Sequence, residues 1–230
     1  MKMYNNIELI TKDSHKDAGV ANVEGFAHAK ELTSSMITMS EFYQACKNYP
    51  IVFANNEEEG WFAVALLGLE KENKFLDEKG VWKEGCYIPA YVRRYPFIYI
   101  KNEDDLLLGF DGDHKVNKEE AGDRHFYDDK EETTPFVANV LTFMNQVQNL
   151  TKVTTEFIET LVEMDVLEES AITGKNASGK EISVNGFWIL KEEKLEKLTK
   201  KNKAKLCEKN YMQPITAHLI SLSNIQSLSK

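Results

Sequence analysis

The chain of 230 residues is short of the features that mark the commonest enzyme and membrane classes. Its three cysteines, Cys46, Cys86 and Cys207, lie far apart with no Cys-x-x-Cys pair, so neither a zinc site nor a redox dithiol is written in it. A sparse, odd thiol count suits a reducing compartment. Positive charge is scarce as well: 28 Lys and Arg stand against 37 Asp and Glu, a net charge of -9. Binding to nucleic acid or an anionic membrane draws on a basic surface that neutralises phosphate, so this balance argues against both partners. Long apolar runs are missing. The longest, Trp61 to Leu69, falls far short of the roughly 20 residues a membrane helix needs, which argues against membrane insertion. Glu8, Lys12 and Asp13 intervene before the apolar core of a secretion signal develops, and the expectation is a cytoplasmic protein. A serine nucleophile elbow, a phosphate-cradling Gly-rich loop and a His-x-x-x-His metal helix are also lacking. No catalytic residue, cofactor or metal site is therefore assigned.

What is present is a globular composition, 42% hydrophobic and 28% charged, in a chain long enough to bury a substantial core. Its most distinctive stretch is Tyr87 to Ile100, which joins four tyrosines, two prolines and the pair Arg93-Arg94. Tyr, Val and Ile favour a pleated strand, while each proline removes a ladder donor and extends the residue before it, so an irregular or edge strand is expected. Alternation along such a strand places Tyr91, Arg93 and Tyr95 on one face, with Val92 and Arg94 on the other. An arginine fork beside aromatic rings can hold a carboxylate or phosphate bidentately and stack on a ring, and Tyr91, Arg93, Tyr95 and Trp82 form the candidate binding set. The alternative is that both arginines pair with the chain's own surplus carboxylates, with Arg94 the structural member.

In order along the chain, residues 1–37 carry only short apolar clusters and read as short strands or an extended arm. Thr38-Met-Ser-Glu41 has capping-box spacing and opens a short helix that buries Phe42, Ala45 and Cys46. Ile51 to Ala54 and Trp61 to Leu69 read as strands around an Asn55 to Gly60 turn, the second apolar on both faces and hence central in a covered sheet. Asp77 to Gly80 reads as a hairpin turn between Leu76 and Val81, and Leu106 to Phe110 as a further strand. Asp111-Gly-Asp113 invites a calcium reading, but Gly122 holds the twelfth position, where such a loop needs a glutamate, so it reads as an acidic surface turn within a solvated stretch 102–132. Thr134-Pro135 opens a helix carrying Phe136, Val140, Phe143, Met144 and Val147, and a second pattern uses Phe157, Ile158, Leu161 and Val162. Residues 171–190 alternate around a Gly174 to Gly179 loop as a hairpin; 191–210 and 215–228 read as helices, with His218 as a core or capping group.

The expected fold class is α+β: an antiparallel sheet built mainly from the first half plus the C-terminal hairpin, covered by helices of the second half. Because that hairpin returns to the sheet, 1–230 is expected to be a single unit, β-rich over 1–132 and helical with the hairpin 171–190 over 133–230. Trp61, Val64, Leu66, Phe97, Phe187 and Ile189 are its expected core, and the oligomeric state is expected to be a monomer or homodimer.

The blocks Tyr49-Pro50, Ala65 to Leu69, Tyr87 to Phe97, Glu192 to Leu195 and Ala217 to Leu222 together resemble the SapC family, bacterial proteins named for a surface-layer locus. Stretch 102–132 is the least matched. The resemblance carries no catalytic residues; it implies a non-enzymatic accessory protein of surface-layer biogenesis or export, with surface-layer proteins or their export machinery as partners. It is distinct from the peptide-transport permeases that share the letters SapC. A small-ligand or peptide-binding module, or an enzyme of unrecognised type, are the other readings of the sequence.

Overall fold

The computed structural model describes residues 3–57, 60–103, 105–175 and 181–228. The chain opens with β1 (Ile7–Leu9), α1 (Lys12–His15), β2 (Ala18–Val20), β3 (Ser34–Ile37), α2 (Phe42–Ala45), β4 (Ile51–Asn56) and β5 (Gly60–Leu66). Then come α3 (Ala90–Arg93), β6 (Phe97–Asn102), β7 (Asp105–Asp111), β8 (Lys115–Asn117) and α4 (Lys118–Ala121). The second half holds α5 (Pro135–Glu163), β9 (Leu167–Lys175), β10 (Glu181–Leu190), α6 (Glu192–Glu196), α7 (Lys200–Glu208), α8 (Met212–Ser221) and α9 (Ile225–Leu228). No helix among the described residues is long and apolar enough to cross a membrane.

The class is α+β with antiparallel sheets, as expected, and the C-terminal hairpin does join strands of the first half. The largest sheet has the order β3-β5-β4-β10-β9, and Trp188 of β10 faces Phe53 of β4. β5 lies inside it, between β3 and β4. The single expected sheet is, however, three: β1-β7-β6 forms a second and β2-β8 a third. The reason lies in Tyr87 to Ile100, which is not one strand. Pro89 caps a single helical turn, α3, and strand geometry resumes only after Pro96, so β6 pairs with β7 rather than with the larger sheet.

Two apolar clusters result. The larger one fills the five-stranded sheet with Phe42, Phe53, Phe157, Leu161 and Leu206. The smaller one gathers Phe97, Phe110 and Phe126 beside the three-stranded sheet. The two helical patterns of 134–163 are one helix of 29 residues, α5, about 43 Å long at 1.5 Å per residue. Its first half gives Val137 and Met144 to the smaller cluster and its second half Phe157, Ile158 and Leu161 to the larger. Thr134 starts it by accepting from the Val137 N–H, and Pro135 sits where its missing donor is not needed.

Of the expected core, Val64, Leu66, Phe97 and Phe187 are buried, whereas Trp61 and Ile189 are half-buried and pack against the larger cluster. The short helix after Thr38 is present as a 3-10 turn leading into α2, with Phe42, Ala45 and Cys46 buried. Asp77 to Gly80 turns with Gly80 at φ +77°, and the pairing beside it among the described residues is the isolated one of Leu76 with Trp82 rather than a hairpin ladder. The 191–210 helix divides into α6 and α7 because Thr199 begins a new N-cap by accepting from the Asn202 N–H. Stretch 102–132 is not a solvated loop: it supplies β7, β8 and α4, and Phe126 is fully buried. Asp111 is buried too, rather than in a surface turn. Glu58 and Glu59 of the Asn55 to Gly60 turn, and residues 176–180 of the Gly174 to Gly179 loop, lie outside the described residues.

Candidate functional site

α3 is one turn long, and its geometry decides which side chains meet. Val92 is buried, and the N–H groups of Val92 and Arg93 both donate to the Pro89 carbonyl. Residues three apart on a helix share a side, so Tyr91 and Arg94 come together and Arg93 is carried away from them. This reverses the strand expectation, in which Tyr91 and Arg93 shared a face. The Arg94 Cζ lies 3.4 Å from the Tyr91 ring centroid and 5.9 Å from that of Tyr4. Arg94 Nε donates to the Tyr4 hydroxyl at 3.2 Å, and that hydroxyl donates to the Phe97 carbonyl at 2.7 Å. Burial pushes the Tyr4 phenol up to about 12 even though Arg94 beside it pulls the other way.

Neither Arg93 nor Arg94 forms an ion pair among the described residues, so the reading in which they pair with the chain's own carboxylates is not what the structure shows. Arg93 is exposed on the other side. Its Nε donates to the Ile88 carbonyl at 3.0 Å and its Nη2 to the Tyr87 hydroxyl at 3.3 Å, with Phe143 5.6 Å from its Cζ. Tyr87 in turn donates to the buried Glu41 carboxylate at 2.9 Å; burial first, then Glu41, pushes its phenol up to about 12. Arg93 thus supports a structural chain that runs inward through Tyr87.

Tyr95 belongs to a polar network at the edge of the smaller sheet. Its ring stacks on His28 at 4.0 Å, and its hydroxyl donates to Asp111 Oδ2 at 3.0 Å and meets His114 Nε2 at 2.8 Å. With the phenol proton turned to Asp111, His114 Nε2 is the donor. Asp111 also accepts from the N–H groups of Asn5, Asn6 and Asp113. Burial alone would raise its carboxyl, but these donors outweigh burial and hold it below the usual carboxylate range. Tyr4 and Tyr95 lie 5.4 Å apart, so the network adjoins the Arg94 cluster. Trp82 does not. It is buried in the larger core, where its Nε1 donates to the Tyr49 hydroxyl at 3.0 Å and its ring meets Phe26 edge-on.

Tyr91, Arg94 and Tyr4 line a groove of about 450 Å³ between the two larger sheets. Met36, Phe62 and Val64 reach it from the five-stranded sheet, and Ile98 from the three-stranded one. Its lining is mostly apolar, and Arg94 is the charged residue among its described walls. A smaller cavity of about 210 Å³, lined by His28, Tyr95 and Asn5, shares Met3 and Leu32 with it. The structure therefore brings Tyr91 and Tyr95 to one region and sends Arg93 and Trp82 elsewhere. Sequence reasoning missed Tyr4, His28 and the position of Arg94. The spacing of Tyr91 and Arg94 after Pro89 could have revealed the last, had a helical turn been weighed; nothing local flags Tyr4. Among the described residues, no group of His, Cys, Asp and Glu is placed to hold a metal ion.

Fold and site define an α+β protein in which two antiparallel sheets flank an apolar groove that carries one guanidinium. Residues 10–228, nearly the whole chain, match the family model SapC, and the chain belongs to the SapC family. That span includes Tyr91, Arg94 and Tyr95 and begins after Tyr4. No curated protein and no solved structure matches the chain.

Proposed function

We propose that this chain is a non-enzymatic interaction protein of surface-layer biogenesis or export, acting in the bacterial cytoplasm, and that the groove beside Arg94 is its binding surface. One observation carries the binding reading: a guanidinium stacked on Tyr91, without a carboxylate partner, at a mostly apolar groove of about 450 Å³. Concave apolar surfaces with a few convergent polar groups are the usual form of a binding site. The surface-layer context is supported by the family's name. The cytoplasmic context is supported by three free cysteines, of which Cys46 is buried.

A catalytic reading finds less support at the groove. Among the described residues, the histidine in direct contact with a carboxylate is His15, 3.1 Å from Glu8. Its other nitrogen accepts from the Thr11 N–H at 3.3 Å, and its ring packs edge-on against Phe110 and Phe126. That pair supports the smaller core. Ser35, which does line the groove, gives its hydroxyl proton to the Met36 carbonyl at 3.1 Å rather than to a base.

The test is a pull-down with the tagged chain from cells that bear a surface layer. The wild type should recover layer subunits or exporter components, and Arg94→Ala should lose them. Repeated recovery of neither by the wild type would remove the reading.

A further inference from the structure

The walls of the groove beside Arg94 give a polar ligand little to bond. Tyr4 spends its hydroxyl proton on the Phe97 carbonyl, and Ser35 its own on the Met36 carbonyl. The helical turn α3 packs against β3 with Val92 in the core, so that strand does not present an open backbone edge. Met36, Phe62 and Tyr91 also line a narrow cavity shared with Ile37, Ala63 and Val147, where the threonine hydroxyls and Glu41 are bonded within the chain. A ligand rich in hydrogen-bonding groups would bury them here without partners, which opposes binding.

The apolar surface continues beyond the groove. In the register of the smaller sheet, Leu9 and Ile98 both stand opposite Gly109, and Ile100 stands opposite Leu107. Side chains directly opposite share a face, so Ile7, Leu9, Ile98, Ile100 and Leu107 lie together on the face turned away from Phe97 and Phe110. None of these five described residues packs against either apolar cluster. Ile7 and Ile98 are also walls of the groove, which makes the groove and this sheet face one apolar surface.

One charge interrupts it. Tyr91 covers a face of the Arg94 guanidinium at 3.4 Å and the Nε is committed to Tyr4, which leaves the two Nη groups for a planar, bidentate acceptor. None of the described carboxylates takes that place, although the chain has 37 acidic residues. A single fixed positive charge balances a monoanion, whereas a phosphate monoester, at about −1.5 to −2 charges, brings more than the described walls neutralise. We propose that the groove holds a long-chain fatty acid, with its carboxylate on the Arg94 Nη groups and its tail on the apolar walls and the adjoining sheet face. The proposal rests on the reading that this groove is a binding surface, and since both occupants need Arg94, fatty acid and protein partner exclude one another there.

Isothermal titration calorimetry of the purified wild type tests this with dodecanoate, kept below its micelle concentration. One equivalent should bind. Dodecanol, which keeps the tail and lacks the charge, should bind at least about tenfold more weakly, the size of one charge-assisted hydrogen bond. Octanoate should also fall by at least about tenfold, since each methylene the walls enclose is worth about fourfold. Arg94→Gln should bring dodecanoate to the level of dodecanol, and Arg93→Ala should leave both unchanged. Ile98→Thr keeps a strand-forming residue and should weaken dodecanoate and dodecanol alike. Circular dichroism of each variant separates lost binding from lost fold, and the acid–alcohol comparison on the wild type needs no variant at all. Equal binding of dodecanoate and dodecanol, tighter binding of dodecyl phosphate, or uptake of several equivalents that Arg94→Gln leaves unchanged would each overturn the proposal. So would a wild type that binds no dodecanoate. If the pull-down then still returned an Arg94-dependent partner, the groove would stand as a protein-binding surface and the fatty acid alone would fall; failure of both would count against the binding reading itself.

Discussion

The five-stranded and three-stranded sheets on either side of the groove are stabilised by different means. The larger is held by apolar packing: Phe42, Phe53 and Phe157 form a mutual cluster with centroids 6.2 to 6.5 Å apart, and all three are buried. On the smaller side the strands are short, with three residues each in β1 at the edge of that sheet and in the separate β2–β8 pair, and they cannot bury enough apolar surface to fix themselves. Polar anchors fix them. Asp111 gathers the N–H groups of Asn5 and Asn6, and His15 and Lys115 both reach Glu8 in β1. Tyr4 lies immediately before the residues that Asp111 holds. One wall of the groove therefore depends on a buried carboxylate, while the opposite wall depends on packed rings.

Breaking the packed side should give the largest effect. Phe53→Ala removes a ring that is wholly buried among Phe42, Phe157 and His218, and should lower unfolding free energy by about 3–5 kcal/mol in urea melts. A loss below about 1 kcal/mol would mean that this sheet does not rest on its rings. Asp111→Asn tests the polar side. The amide must turn a donor toward N–H groups that now meet a carboxylate oxygen, so it should cost about 2–3 kcal/mol and also weaken binding at the groove by loosening Tyr4. Loss of stability with binding intact would separate the two walls.

A buried histidine on the packed side gives the third effect. His218 is fully buried and stacked on Phe53 at 4.6 Å; its Nε2 accepts from the Leu190 N–H at 3.0 Å. Burial pushes its pKa down to about 3, and the Ile51 carbonyl beside it offsets only part of this. The unfolded chain takes up a proton near pH 6.5 and the folded chain does not until about pH 3, so stability is full above 6.5 and falls as pH drops between those values. From pH 7 to pH 5 the loss should be about 2 kcal/mol, at 1.4 kcal/mol per unit below 6.5. His218→Gln should flatten that part of the urea-midpoint profile; an unchanged slope would assign it to other groups.

Much of this fold was legible because its signals are local. The N-cap at Thr134, the capping spacing at Thr38 and Glu41, and the apolar run of β5 each declare an element without reference to the rest of the chain. The polar anchors were not legible, since Asp111 meets Asn5 and Asn6 across more than a hundred residues and looks acidic and exposed in sequence. Stretch 102–132 was misread for the same reason: its carboxylates are real, but Phe110 and Phe126 pack against each other at 5.0 Å and hold it to a core. At the site, the tyrosine period of four was visible while its meaning was ambiguous. The same spacing suits an alternating strand and a helical turn, and the prolines at 89 and 96 decide between them.

That ambiguity sets the smallest and most discriminating expectation, which concerns the two arginines. Both lack a carboxylate partner among the described residues, so removing either strands no buried charge, and each alanine variant should cost less than about 1 kcal/mol of stability. Arg93→Ala loses exposed hydrogen bonds to Ile88 and Tyr87, and Glu41 keeps its other donors, the Thr38 and Ala90 N–H groups. Arg94→Ala loses the stack on Tyr91 and the bond to Tyr4, a comparable amount. Melting should thus barely tell them apart, and binding should: recovery of the partner is expected to survive Arg93→Ala and to fail with Arg94→Ala. The strand reading required the reverse, with Arg93 on the binding face. If Arg93→Ala proved the disabling change, the working surface would lie on the Tyr87 and Phe143 side of α3, and the groove between the sheets would lose its claim to be the site.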